Sequence, residues 1–206
     1  MAGSQKEKTE VKGTVVRFIL DFVRDTFGPA GLERVLGDLS PRSRERLARA
    51  PISSEWYPVG ECVIAPLEAM SERFYRGSMD GVWSCGRYGA DQLAAGIYRN
   101  LMEVYGAPRL LGRADRVVGI FYRPVVFEVT HRSAFEVVLD LVEFAGADRT
   151  IEAHIGGFIE RGIELGGNTD VEVAIGPSLA AGDAHTRFCV TWKPIRSART
   201  DPQDRQ

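Results

Sequence analysis

A histidine and an aspartate near the end of the chain come closest to a catalytic pattern. Asp183 and His185 are two residues apart, and a carboxylate can orient a histidine that titrates near neutral pH, so they could form an acid/base pair. No nucleophile motif accompanies them. Asp183 also follows Gly182, and this dipeptide is typical of a turn in which aspartate binds backbone amides. Both interpretations stay open, and we predict no catalytic residue.

The other histidines and the cysteines are predicted to be structural. His154 borders the apolar stripe of a predicted helix, which indicates a packed or a surface histidine, and His131 falls in a predicted hairpin connection. Cys62, Cys85 and Cys189 lack C-x-x-C spacing, which argues against a disulfide framework and a zinc ribbon. We therefore expect half-buried thiols and no metal site.

A glycine-rich helix predicted over residues 81–105 has polar side chains that could orient a ligand between helix and sheet. These candidate ligand-binding residues are Arg87, Tyr88, Asp91 and Tyr98. Each glycine inside a helix costs about 1 kcal/mol relative to alanine, so Gly86, Gly89 and Gly96 indicate close packing, a kink or room for a ligand. The alternative is that they let another helix approach while Arg87 and Arg99 reach solvent.

Hydrophobic periodicity predicts the elements that position these residues. Helical spacing predicts helices over residues 12–27, from Pro29, from Pro41, and over residues 59–76, 81–105, 107–121 and 147–165. An aromatic loop is predicted over residues 51–58. Alternating residues predict strands over residues 125–130, 135–141, 171–175 and 187–192. This order predicts an α+β fold, in which an N-terminal helical layer packs on a four-stranded, antiparallel sheet.

Composition excludes several classes of function. Hydrophobic residues make up 44% of the chain and charged residues 26%, which is typical of a globular protein. A net charge of −2 gives no basic field for nucleic acid. No apolar run could cross a bilayer, and the N-terminus has no apolar core of a secretion signal. We expect a cytoplasmic protein with one domain over residues 11–193, between disordered segments at 1–10 and 194–206.

Three stretches carry a family resemblance: K-G-T-V-V-R-F-I-L-D-F-V-R-D-T-F-G near the start, the glycine-rich helix around Gly86-Arg87-Tyr88, and the closing G-D-A-H-T-R-F-C-V-T-W. Together they resemble uncharacterised bacterial proteins related to the haem NO-binding (H-NOX) and 4-vinyl-reductase-type domains. The resemblance spans residues 11–193, and the C-terminal motif is its sharpest part. It implies a helical layer against a curved sheet, with a pocket for haem, a hydrophobic small molecule or an acyl chain.

The resemblance also implies two kinds of site, a metal site with cysteine ligands and a haem site with an axial histidine. This chain lacks the ligand residues of both. The closing motif of vinyl-reductase-type domains is matched by five residues: Gly182, Asp183, Phe188, Val190 and Trp192. Of these, Gly182, Asp183, Phe188 and Trp192 are predicted to have structural roles. Ser178 and Thr186 stand where that motif has cysteines proposed as metal ligands, and a hydroxyl is a poor zinc ligand. In haem-binding relatives an axial histidine lies on a helix in the middle third, but this chain has none between residues 59 and 121. We therefore predict no cofactor, haem included.

Three functional hypotheses remain. The first is a non-catalytic sensor or regulatory domain that binds a small apolar ligand and could form a homodimer. The second is a scaffold that binds a partner protein, as transport-complex subunits related to this family do. The third is an accessory subunit in vinyl reduction during tetrapyrrole synthesis, although the chain has no G-x-G-x-x-G dinucleotide fingerprint.

Overall fold

The computed structural model describes residues 9–95 and 118–194. The helices are α1 (Gly13–Asp38), α2 (Pro41–Leu47), α3 (Ala65–Tyr75), α4 (Asp80–Ala95) and α5 (Arg149–Leu165). The strands are β1 (Glu10–Lys12), β2 (Trp56–Pro58), β3 (Tyr122–Arg123), β4 (Val126–Arg132), β5 (Glu136–Glu143), β6 (Asn168–Ile175) and β7 (Thr186–Pro194). None of the described helices is long and apolar enough to span a membrane.

The N-terminal helices begin and end where local chemistry predicts. Helix α1 is kinked at Gly28, whose φ of 73° and ψ of 173° are not helical, so a second helical segment starts at Pro29 as predicted. Helix α2 starts with Pro41 after Ser40, whose side chain accepts a hydrogen bond from the backbone N–H of Ser43. A π-helical turn (Gly60–Ile64) leads into α3. These elements form the predicted helical layer.

The predicted α+β architecture is confirmed. Strands β4 to β7 form an antiparallel sheet in the order β4-β5-β7-β6, in which Leu139 lies opposite Phe188 and Val137 opposite Val190. Alternate residues of β5 and β7 point to one face and are buried. Helix α5 buries Ile151, Ile155, Ile159 and Ile163 in the same core. The helix between the two strand pairs thus covers the apolar face of the sheet.

A second sheet was not predicted. Strand β1 pairs antiparallel with β2 on one side and β3 on the other. Lys12 was predicted in a helix and residues 51–58 in a loop. Residues 51–55 do form a loop, but Lys12 and residues 56–58 lie in strands, because strands of two or three residues are too short to show alternation. Strand β1 starts at Glu10, inside the segment expected to be disordered. Most of the helix predicted over residues 107–121 lies outside the described residues, as do residues 1–8 and 195–206.

Helices α4 and α5 cross at backbone contact, because glycines stand at the crossing on both helices. A Cβ atom on Gly86 would lie 2.1 Å from the carbonyl oxygen of His154, and one on Gly157 would lie 2.1 Å from the carbonyl oxygen of Trp83. No side chain fits at either point. Gly89 differs, since a Cβ there would meet only ordinary contacts at 3.8 Å.

This crossing gives the first prediction. Gly157→Ala should lower the free energy of unfolding by about 2 to 3 kcal/mol, because the added methyl group overlaps backbone that cannot move alone. Gly162→Ala on the same helix is the matched control: a Cβ there meets nothing within 4 Å, so the better helix propensity should raise stability by about 0.5 to 1 kcal/mol. Chemical denaturation measures both. Equal effects of the two substitutions would contradict the close crossing.

Candidate functional site

Two of the predicted ligand-binding residues on α4 bind α5 instead of facing a shared cavity. Arg87 donates to Glu160, and its Nη1 and Nη2 donate to Glu164 at 3.0 and 2.8 Å. Asp91 accepts from Nε of Arg161 at 2.8 Å, and Arg161 also donates to Glu164 at 2.8 Å. Arg87 and Arg161 are therefore each paired with two carboxylates along the crossing.

The electrostatics of this ion-pair network favour its charged form. Burial alone would raise the pKa of Glu164, but hydrogen bonds from Arg87 and Arg161 outweigh burial and lower it. Glu160 is held further by the indole Nε1 of Trp83 at 2.8 Å. The network lies at the half-exposed edge of the crossing, where it fixes the rotation of α4 against α5.

Tyr88 lies on a different side of α4. Its hydroxyl donates to Asp25 of α1 at 2.7 Å, and its ring makes an edge contact with Phe22. Burial and this hydrogen bond raise the pKa of Tyr88. The structure thus separates Tyr88 from Arg87 and Asp91, while Tyr98 lies outside the described residues.

The loop before β7, here called the closing loop (residues 176–186), converges on a carboxylate that the sequence analysis missed. Glu152 of α5 is 4% exposed. It accepts from the Ser178 hydroxyl at 2.7 and 2.9 Å, from the backbone N–H of Ala180 at 3.2 Å and from the Thr186 hydroxyl. The hydroxyl groups of Ser178 and Thr186, the two residues predicted to stand at cysteine positions of the resembling motif, therefore bind the same carboxylate.

Gly182 and Asp183 shape the same loop. Gly182 has a φ of 95°, a left-handed conformation that suits glycine. The Asp183 carboxylate accepts from the backbone N–H of Ser178 at 2.8 Å, and the N–H of Asp183 donates to the carbonyl of Ser178 at 3.0 Å. The carboxylate of Asp183 therefore serves the turn.

His185 faces another carboxylate instead of Asp183. Its Nε2 lies 3.8 Å from Asp140, which accepts two hydrogen bonds from Arg187 at 2.8 and 2.6 Å. These bonds from Arg187 hold the pKa of Asp140 below its usual range. Asp140 alternates with inward-facing Leu139 and Leu141 and so lies on the sheet face opposite α5. The proposed acid/base pair of Asp183 and His185 is not formed.

The remaining motif residues belong to the core. Phe188 and Trp192 are buried on the face of β7 that packs toward α5. Cys62 and Cys85 are buried, and burial raises the pKa of both thiols. Within residues 9–95 and 118–194, no three histidine, cysteine or carboxylate side chains gather as a metal site.

His154 is the most deeply buried histidine of the three. It is 5% exposed, and its Nε2 has no hydrogen-bond partner among the described residues. Burial alone lowers its pKa to about 4, so the ring is neutral at physiological pH. The sequence placed this side chain at the border of an apolar stripe; in the structure it lies inside, on the turn of α5 that contacts Gly86.

Glu152 gives the second prediction. Glu152→Gln should lower the free energy of unfolding by about 2 to 3 kcal/mol, because an amide NH₂ would then face hydroxyl and N–H groups that need an acceptor. Glu143→Gln, a substitution at an exposed glutamate, should change stability by less than about 0.5 kcal/mol. Thermal and urea unfolding measure both variants. A small effect of Glu152→Gln would show that the closing loop does not depend on this carboxylate.

His154 gives the third prediction. An unfolded histidine titrates near 6.5 and folded His154 near 4, so in this pH range the unfolded chain binds a proton that the folded chain does not. Stability should fall as the pH drops below about 6.5, and the loss should level off near pH 4 at about 3 kcal/mol. Urea unfolding between pH 7.5 and 4 should show this loss in the wild type and in His131→Gln, but not in His154→Phe. If the stability of His154→Phe fell with pH as steeply as that of the wild type, the loss could not be assigned to His154.

Comparison with known proteins identifies the fold. No protein-family model matches this chain, and no curated protein is similar to it in sequence. Among solved structures, an H-NOX protein from K. algicida in the Fe(II) unliganded state is 14% identical with a TM-score of 0.69, covering 91% of this chain and 100% of that one. An H-NOX protein from S. oneidensis in the Fe(II)NO state is 13% identical with a TM-score of 0.69, covering 88% and 99%. The chain therefore has the fold of the H-NOX domains over about nine-tenths of its length.

Proposed function

We propose that this chain is a regulatory domain that binds a small, mainly apolar ligand without a histidine-ligated haem. The observation that carries the proposal is the match over 88% of this chain to an H-NOX protein solved in the Fe(II)NO ligation state, combined with the distribution of histidines in this sequence. Fold alone does not establish function, so the proposal depends on what these residues can bind.

The residues present do not fit the haem that the fold implies. The resemblance places an axial histidine between residues 59 and 121, and the sequence has none there. His131 is exposed on β4, and His185 lies beside Asp140 on the sheet face opposite α5. His154 is buried, but on a turn of α5 whose backbone touches α4. All three lie outside residues 59–121, the range in which the resemblance implies the iron ligand.

Two features favour binding over catalysis. On α4, Arg87 and Tyr88 donate to carboxylates of α5 and α1, and Asp91 accepts from Arg161 of α5. Asp183 and His185 have separate partners. The residues that the sequence offered for acid/base chemistry are therefore structural. An apolar interior with few polar groups is typical of a small-molecule site.

A protein-interaction module is the second candidate, and one surface favours it. Ile52 and Ile120 are 54% and 45% exposed. The carbonyl of Ile52 packs on Gly13, the first residue of α1. Ile120 precedes Phe121, whose carbonyl accepts a hydrogen bond at 2.7 Å from the N–H of Lys12, the last residue of β1. Both isoleucines therefore flank the junction of β1 and α1. Exposed apolar side chains that lie together are a feature of protein interfaces. The vinyl-reduction hypothesis rests on the resemblance alone.

The fourth prediction separates these candidates. Native mass spectrometry of freshly purified protein should show a mass excess that is lost on denaturation, and the visible spectrum should lack the Soret band of haem. A bare, colourless protein that forms oligomers would overturn ligand binding and favour the interaction module. A Soret band would overturn the haem-free proposal. Ile52→Ser is the matched control, since it should change association with partners and leave a bound ligand in place.

A further inference from the structure

One nitrogen in the core of the protein lacks the partner that its burial requires. Four buried side-chain atoms have no hydrogen-bond partner among the described residues: Thr9 Oγ1, Glu61 Oε2, His154 Nε2 and His185 Nε2. Glu61 and His185 still face charge, from Arg42 at 2.7 Å and Asp140 at 3.8 Å. His154 differs, because burial alone shifts its pKa and no described charged group contributes to the shift.

Leaving this nitrogen unpaired is costly, because a buried imidazole nitrogen gives up its hydrogen bond to water without a replacement. Among the described residues, no charged group influences the ring. The residue of α4 that contacts this turn of α5 is Gly86, which has no side chain. On α5, Thr150 and Phe158 lie one turn before and after His154 on the same face.

We propose that Nε2 of His154 is the polar contact of a small neutral ligand bound inside the domain beside the α4–α5 crossing. This inference rests on the proposed ligand-binding function and names the residue and the ligand chemistry. A ligand hydroxyl would donate to Nε2, or a ligand carbonyl would accept from it in the other tautomer. The rest of the ligand would contact apolar side chains of the core.

The charges at the crossing exclude an anionic ligand. A carboxylate or phosphate needs a free cation beside it, but Arg87 and Arg161 are already paired with Glu160, Glu164 and Asp91. A cationic ligand would face a neutral imidazole, and among the described residues of α5 the buried carboxylate of Glu152 is already held by the closing loop. A neutral molecule with one hydrogen-bonding group fits both conditions.

The test, and fifth prediction, uses three probes of similar size: benzyl alcohol, ethylbenzene and benzoate. Titration should give an affinity for benzyl alcohol roughly three- to tenfold above that for ethylbenzene, because one hydrogen bond is gained, and no binding of benzoate. The side-chain ¹⁵N signal of His154 should shift with benzyl alcohol and not with ethylbenzene. Equal affinities with an unmoved ¹⁵N signal, or no binding of any probe, would overturn the proposal.

Two variants keep the test independent of folding defects. His154→Phe should keep ethylbenzene binding and lose the preference for benzyl alcohol, while His154→Gln, which retains a hydrogen-bonding group, should keep part of it. His131→Gln, at an exposed histidine, is the control and should behave like the wild type. If a ligand that copurifies with the wild type also remains bound to His154→Phe with equal affinity, the proposed function stands and the role of His154 fails. If neither protein carries a ligand or binds a probe, both fail.

Discussion

The backbone contact between α4 and α5 is the constraint on which the rest of the structure depends. Gly86 and Gly157 leave no space for a side chain between the two helices, so one position of α5 relative to α4 is selected. Three consequences follow from this position. The arginines and carboxylates of the two helices come within hydrogen-bond distance, the isoleucines of α5 cover the sheet, and the first turns of α5 become buried on every side.

That complete burial explains the two unusual polar residues of α5. A helix that is only half covered can turn glutamate and histidine toward water, but residues 150–157 of α5 have no exposed face. Glu152 is therefore satisfied by the closing loop, which supplies two hydroxyls and a backbone N–H. His154 has no hydrogen-bond partner among residues 9–95 and 118–194, and its burial favours the neutral ring. The same packing thus buries two polar side chains of α5, and only Glu152 has hydrogen-bond partners within this part of the chain.

The closing loop is held to α5 by hydroxyl groups. Hydroxyls can donate to a carboxylate, and those of Ser178 and Thr186 both donate to Glu152. The loop is tied to α5 by hydrogen bonds.

The sequence by itself determined the elements whose periodicity is long enough to read. The kink at Gly28, the start of α2 at Pro41, the hairpin of β4 and β5, helix α5 and the α+β order follow from local propensity and from burial on one face. The three-residue strands β1 and β2 could not be predicted, because their hydrogen bonds join residues 40 or more positions apart.

Tertiary structure alone decided the partners of each candidate site residue. Arg87, Tyr88 and Asp91 are neighbours in sequence, yet Tyr88 bonds to α1 and the other two to α5. In the sequence nothing distinguishes Glu152 from a surface glutamate. Only the long-range packing of α5 removes water from its carboxylate and brings Ser178 and Thr186 within hydrogen-bond distance.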